Sequence, residues 1–125
     1  MSFLIKRNTK TKNMKIYHNP RCSKSRQGLE ILNSSNENFE IVDYQNNPPT
    51  VKELKEILKM LGISPIQLVR KNETIWKENY KGKELNDAAI IDAMCTHPKL
   101  IERPIVIKGN KAVIGRPPER IKELL

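Results

Sequence analysis

Apolar residues recur along the chain in two spacings, one typical of strands and the other of helices. Residues 14–18 (MKIYH) and 39–44 (FEIVDY) are compact runs rich in β-branched and aromatic residues, which predicts two strands. Residues 105–114 (IVIKGNKAVI) hold two more such runs, joined by Gly109-Asn110, a pair that suits a type II′ turn. The pattern therefore predicts two separate strands early in the chain and a hairpin near its end.

Helical spacing predicts helices between and after these strands. The first runs from Ser23 to Leu32. The second covers residues 51–61, with Thr50 as its N-cap, Glu53 at capping-box spacing and Gly62 as its C-cap. Further helices are predicted from capping residues and prolines at their ends, over residues 64–70, 86–97 and 117–125.

The predicted elements follow the order β-α-β, then a helical middle, then β-β-α. A thioredoxin-like fold has this order when a helical insertion separates the two halves of its mixed four-stranded sheet, although other α+β folds share it. The chain of 125 residues is long enough for one domain and short for two. We therefore expect an α/β protein with a single domain over residues 14–125.

Residues 1–13 (MSFLIKRNTKTKN) differ from the rest in composition. They contain lysine and arginine but no acidic residue, and they show little periodicity, which predicts a flexible basic extension. The apolar triplet FLI is too short for a signal peptide, and no apolar run approaches the roughly 18 residues that span a membrane. We expect a cytoplasmic protein without membrane contact, in which both cysteines remain free thiols.

The formal net charge of +9 raises the question of a nucleic-acid partner. The lysines of the body alternate with acidic residues, and aromatic residues are not interleaved with them. We therefore interpret the basic balance as solvated surface with a local anion site, and we expect no nucleic-acid partner.

Cys22 lies in the segment IYHNPRCSKSRQGL, between a predicted strand and a predicted helix. The first N–H groups of a helix lack intrahelical partners, and the helix dipole is positive at this end. Four basic side chains, counting His18, also lie within four residues of the cysteine. Helix N-termini and cations lower the pKa of a thiol, so the segment predicts a nucleophilic thiolate rather than a buried structural cysteine.

Spacing argues against other thiol chemistries. Ser25 stands where a C-x-x-C pair needs its second cysteine, and Gly28 stands where a C-x5-R phosphatase loop needs arginine. Cys95 lies at helical spacing from Ile91 and is predicted to pack in the core. The histidines and cysteines have no zinc-finger spacing, so no metal site is expected. A redox reaction begun by Cys22 would therefore need an outside thiol to complete it.

Three arginines lie at the edges of apolar segments: Arg70 in LVRKN, Arg103 in ERPIVI and Arg116 in GRPPE. From spacing alone, an exposed surface arginine is the simpler interpretation of each. A guanidinium fork also matches the geometry of an oxyanion, so a cluster of them beside a thiolate would hold a tetrahedral oxyanion against it.

Together, YHNPRCSKSR, LVRKN, ERPIVI and GRPPE resemble the active-site segment and the three arginine segments of the glutaredoxin-linked arsenate reductases, the ArsC-type family, in the same order. The resemblance covers about residues 14–125. It implies a thioredoxin-like fold with a helical insertion and a cis peptide bond between Arg103 and Pro104. The chain has Ser23 and Lys24 where the best-known members have Gly-Thr, which makes the loop bulkier and more cationic.

The resemblance also implies a function and a set of site residues: Cys22, His18, Ser25, Arg70, Arg103 and Arg116. The thiolate would attack the arsenic of arsenate, and the arginines would bind and polarise the oxyanion, with the serine also at the substrate. The histidine would help to keep the thiol ionised. Glutathione, as co-substrate, would attack the adduct, and glutaredoxin would resolve the mixed species and release arsenite. A monomer without a bound cofactor is expected.

Two other functions remain open at this point. One is a glutathione-dependent thiol reductase that acts on another substrate. The other is an Spx-like regulator that binds RNA polymerase, a group in which a C-x-x-C switch is usual. Ser25 argues against that switch, and the three arginines favour an oxyanion over a protein partner.

Overall fold

A four-stranded mixed sheet is present in the computed structural model, which describes residues 14–125. Its strands are β1 (Met14–Tyr17), β2 (Glu40–Val42), β3 (Ile105–Lys108) and β4 (Lys111–Ile114), in the spatial order β2-β1-β3-β4. β1 is parallel to β2 and antiparallel to β3, and β3 is antiparallel to β4. Helix α1 (Ser23–Ser34) connects the parallel pair. The predicted mixed four-stranded sheet is therefore confirmed.

The described chain divides into two compact units, residues 14–43 with 103–125 and residues 44–102. The first unit holds the sheet, α1 and a C-terminal 3₁₀ helix (Pro118–Leu124). The single domain over residues 14–125 stays a prediction, and the predicted basic extension lies outside the described residues. No helix within residues 14–125 is long and apolar enough to cross a membrane.

An apolar core in the first unit joins strands β1, β3 and β4 to α1 and the C-terminal 3₁₀ helix. Its buried members are aliphatic side chains and one methionine: Met14, Ile16, Leu32, Val106, Val113 and Ile121. Gly28 of α1 lies so close to this core that an added Cβ would be 2.9 Å from Ile121 Cδ1 and 3.0 Å from Pro104 Cγ. The lack of a side chain at Gly28 thus lets α1 approach the segment that follows Arg103.

The second unit is helical and contains α2 (Val51–Leu61), α3 (Pro65–Leu68), α4 (Thr74–Asn79), α5 (Asp87–Thr96) and a 3₁₀ helix (Pro98–Leu100). The predicted capping box of α2 is confirmed. Thr50 Oγ1 accepts a hydrogen bond from the Glu53 N–H at 3.1 Å, and Glu53 Oε1 accepts one from the Thr50 N–H at 2.9 Å. Gly62 ends the helix with a φ of 69°, a left-handed conformation that favours glycine.

Five features differ from the sequence-based expectations. Helix α4 and the 3₁₀ helix Pro98–Leu100 were not predicted; α4 is stabilised by the buried Trp76, which stacks on Tyr80 at 5.3 Å between ring centroids. Strand β2 covers only Glu40–Val42 of residues 39–44, and these are the three residues that pair with β1. The C-terminal helix, Pro118–Leu124, is a 3₁₀ helix of seven residues, longer than such helices usually are. The Arg103-Pro104 peptide is cis as expected, and Arg116-Pro117 is cis as well.

Candidate active site

Cys22 is the N-cap residue of α1, at the end of the loop that leaves β1. The Cys22 N–H donates to Asn19 O at 3.0 Å, and Cys22 O accepts the first helical hydrogen bond from the Arg26 N–H at 2.9 Å. Arg26 Nη1 also donates to Pro20 O at 2.9 Å and so ties the helix back to the loop. The thiol is half-buried at the positive end of the helix, where the sequence predicted it.

The pKa of the Cys22 thiol is lower than that of an ordinary cysteine. Burial raises this pKa, but the guanidinium of Arg103 and the backbone N–H groups of Ser25 and Lys24 lower it by more, because each favours the negative charge on the sulfur. A larger fraction of Cys22 is therefore thiolate at neutral pH, and the thiolate is the nucleophilic form.

Two of the three predicted arginines meet at this thiol. Arg116 Nη2 lies 3.5 Å from Cys22 Sγ, and Arg116 Nε donates to the backbone O of Arg103 at 2.9 Å. Arg103 precedes β3 and Arg116 follows β4, and the antiparallel hairpin pairs Ile105 with Ile114. The hairpin therefore brings both arginines to one end of the sheet, beside the start of α1.

His18 and Ser25 form a buried polar pair next to Cys22 in the chain. His18 Nδ1 and Ser25 Oγ are 2.6 Å apart, and Ser25 Oγ also accepts a hydrogen bond from the Asn19 N–H at 2.9 Å. Burial lowers the pKa of His18, and Arg26 lowers it further, against the opposing effects of Ser25 and Asp43. The lowered pKa favours the uncharged imidazole near neutral pH. That His18 helps to keep the thiol ionised stays a prediction, as does substrate contact by Ser25.

Arg70, the third predicted arginine, belongs to the second unit. Its Nη1 donates to Glu102 Oε1 at 2.8 Å, and its Nε donates to Glu73 Oε2 at 3.5 Å. Neither glutamate was singled out from the sequence. Glu73 offered a signal, since it follows Arg70 by three residues, whereas Glu102 lies 32 positions from Arg70 and no local spacing pointed to it. The part of Arg70 in an oxyanion site stays a prediction.

Cys95 provides a contrast to Cys22. It lies in α5, half-buried, and burial together with the carboxylates of Asp92 and Glu53 raises the pKa of its thiol. A raised pKa leaves less thiolate at neutral pH, so Cys95 is the poorer nucleophile of the two. Within residues 14–125, no group of three or more histidine, cysteine or acidic residues could hold a metal ion.

Comparison with known proteins gives the family. The model of the ArsC family matches residues 17–124. This chain belongs to the ArsC family. An arsenate reductase of Haemophilus influenzae is 44% identical over 112 residues, which cover 88% of this chain and 97% of that protein. An uncharacterized protein of Escherichia coli, YfgD, is 46% identical over 117 residues, which cover 92% and 98%.

A solved structure with a similar fold is that of an arsenate reductase from Vibrio cholerae. It superposes with a TM-score of 0.85 at 42% identity, over 90% of this chain and 97% of that chain. The family expected from the four sequence motifs is thereby confirmed, and so is the thioredoxin-like fold class. The Cys22 loop and the segments that carry Arg70, Arg103 and Arg116 all lie within the matched residues.

Proposed function

We propose that this ArsC-family protein reduces arsenate to arsenite, with Cys22 as the nucleophile and with glutathione and glutaredoxin as the electron donors. The observation that carries the proposal is the position of the Cys22 thiol. Its pKa is lowered, and Arg116 Nη2 lies 3.5 Å from its sulfur. A thiolate beside guanidinium groups is equipped to attack the central atom of a bound oxyanion.

In the first step, the Cys22 thiolate attacks the arsenic of arsenate. A sulfur–arsenic bond forms and an arsenic–oxygen bond breaks, and the oxygen leaves as water after it takes up protons. The arsenic remains in oxidation state +5 in this adduct. Arg103 and Arg116, with Arg70 as the third arginine, bind the remaining oxygens and stabilise the charge that develops on them.

In the following steps, two thiols from outside the protein supply the two electrons. Glutathione attacks the arsenic of the adduct, and a second oxygen leaves as water. The glutaredoxin thiol then attacks the glutathione sulfur: the bond between that sulfur and arsenic breaks, a disulfide between the two outside thiols forms, and the arsenic falls from +5 to +3. Water hydrolyses the remaining bond between Cys22 and arsenic, which releases arsenite and returns the Cys22 thiol. Ser25 at the third position after Cys22 supports this scheme, because it leaves the loop without a resolving cysteine.

We further propose that the protein works as a monomer in the cytoplasm without a resident cofactor. Reduced thiols such as glutathione are maintained in that compartment, so the electron donors of the proposed reaction are available there. Sedimentation of the purified full chain, with and without glutathione, tests the monomeric state.

The test of the proposed activity is arsenite formation from arsenate in the presence of glutathione and glutaredoxin. Cys22→Ser should abolish it, because a serine hydroxyl does not ionise near neutral pH. Cys95→Ser is the matched control and should retain it. Omission of either glutathione or glutaredoxin should also stop multiple turnovers.

Failure of the wild-type protein to form arsenite under these conditions would refute the proposal. Reduction of a glutathione mixed disulfide by the same preparation would then favour a thiol reductase with another substrate. Capture of RNA polymerase by the tagged protein would instead favour the regulator.

A further inference from the structure

Two carboxylates hold the guanidinium of Arg70 in the second unit. Glu102 Oε1 accepts a hydrogen bond from Nη1 at 2.8 Å, and Glu73 Oε2 accepts one from Nε at 3.5 Å. The three side chains are 22–28% exposed, so water screens these contacts less than it screens a fully exposed ion pair. Arg70 thus has an orientation defined by two contacts of different strength.

The backbone sets up both contacts. Val69 and Ile101 form an antiparallel bridge, flanked by hydrogen bonds from the Arg70 N–H to Leu100 O at 2.7 Å and from the Glu102 N–H to Leu68 O at 2.9 Å. In this register Arg70 and Glu102 are diagonal neighbours, which long side chains can bridge. Separately, the Glu73 N–H donates to Arg70 O at 3.2 Å in the turn that leads into α4.

The two contacts leave part of the guanidinium available. Arginine has five N–H donors, and Glu102 and Glu73 engage one each. The other three donors of Arg70 have no hydrogen-bond acceptor within residues 14–125. A tetrahedral oxyanion needs only two of them for a bidentate contact, so it can bind while the contact with Glu102 persists.

We propose that Glu102 is a positioning residue that orients the Arg70 guanidinium to receive the oxyanion, with Glu73 in a weaker supporting part. This inference rests on the proposed function, in which Arg70 is one of the three arginines that bind arsenate. Glu102 acts through Arg70 and does not touch the substrate. An arginine held in place in advance loses less side-chain freedom when the oxyanion binds, so the contact favours binding.

The test is the arsenate dependence of turnover in variants of Glu102. Glu102→Ala should raise the KM for arsenate about tenfold with little change in kcat, because the guanidinium loses its orientation but the thiol is untouched. Glu102→Gln keeps an acceptor oxygen and should raise the KM by only about threefold. It also serves as the test if Glu102→Ala does not fold.

A matched control is available in the first unit. Glu37 Oε2 lies 2.6 Å from Lys108 Nζ in an ion pair whose side chains are 36–37% exposed. Glu37→Ala removes the carboxylate from a comparable ion pair and should leave the KM unchanged. A double-mutant cycle adds a readout that a general structural role would not move. In an Arg70→Ala background, Glu102→Ala should raise the KM by much less than it does when Arg70 is present.

Arsenate binding to the Cys22→Ser protein measures affinity alone, because this variant lacks the nucleophile of the first chemical step. Isothermal titration with arsenate should show weaker binding when Glu102→Ala is added. If the wild-type protein is active and Glu102→Ala has an unchanged or lower KM for arsenate, the positioning role is overturned and the proposed function stands. A lower KM would mean that Glu102 competes with the anion for Arg70. No arsenite from the wild-type protein would overturn both.

Discussion

Gly28→Ala tests how closely α1 is packed against the segment that carries Arg103. Alanine normally stabilises a helix interior by about 1 kcal/mol relative to glycine. Here the new Cβ would lie 2.9 Å from Ile121 Cδ1 and 3.0 Å from Pro104 Cγ, closer than carbon atoms normally approach. Ile121 is fully buried, so its Cδ1 atom has little room to move, and the Pro104 ring can yield only by a change of pucker. Both neighbours must therefore give by a few tenths of an ångström, at a cost in packing.

Extra atoms in a well-packed core cost about 1–3 kcal/mol. Against the gain of about 1 kcal/mol in helix propensity, we expect Gly28→Ala to lower the free energy of unfolding by about 1 kcal/mol net. Urea unfolding followed by circular dichroism measures this change. The paired variants Gln27→Ala and Gln27→Gly, at an exposed position of the same helix, provide the ordinary preference for alanine.

Ile121→Val removes the Cδ1 atom that the new methyl group would meet. Ile-to-Val changes alone cost about 0.5–1.5 kcal/mol. The double variant with Gly28→Ala should therefore be more stable than the sum of the two single effects, by about 0.5–1 kcal/mol. A Gly28→Ala protein as stable as the wild type, or strict additivity in the cycle, would refute the reasoning from close packing.

Two further predictions follow from the pKa values. In the Cys95→Ser protein, the rate of alkylation of Cys22 by iodoacetamide should rise with pH through a midpoint below that of an ordinary cysteine. In the Cys22→Ser protein, the rate of alkylation of Cys95 should have a midpoint above it. Equal midpoints for the two thiols would contradict the assigned environments. His18 has a lower pKa in the folded protein than its ordinary value of 6.5, so the unfolded chain binds a proton more readily. The free energy of unfolding should therefore fall as the pH drops below about 6.5, and this decline should be shallower in His18→Gln; equal slopes would rule out His18 as the cause.

Elements with local signals could be predicted from the sequence. Helix α2 is an example, because the Thr50–Glu53 capping box and the left-handed Gly62 involve residues close together in the chain. The β3–β4 hairpin is another, since Gly109 takes the positive φ that its two-residue loop favours. Helix α4 was not predicted, because its N-cap residue makes no side-chain hydrogen bond and its stability comes from the burial of Trp76.

In the candidate site, too, some features follow from neighbouring residues and others only from the tertiary structure. The sequence alone determined that Cys22 stands at a helix N-terminus without a resolving cysteine nearby, because both facts concern neighbouring residues. The sequence also contains the three arginine segments that, together with the Cys22 segment, led us to expect the ArsC family. Only the tertiary structure decided that Arg103 and Arg116 meet at the thiol, and that Glu102 holds Arg70. These contacts join residues far apart in the chain, and their geometry depends on strand pairing, which spacing along the sequence does not specify.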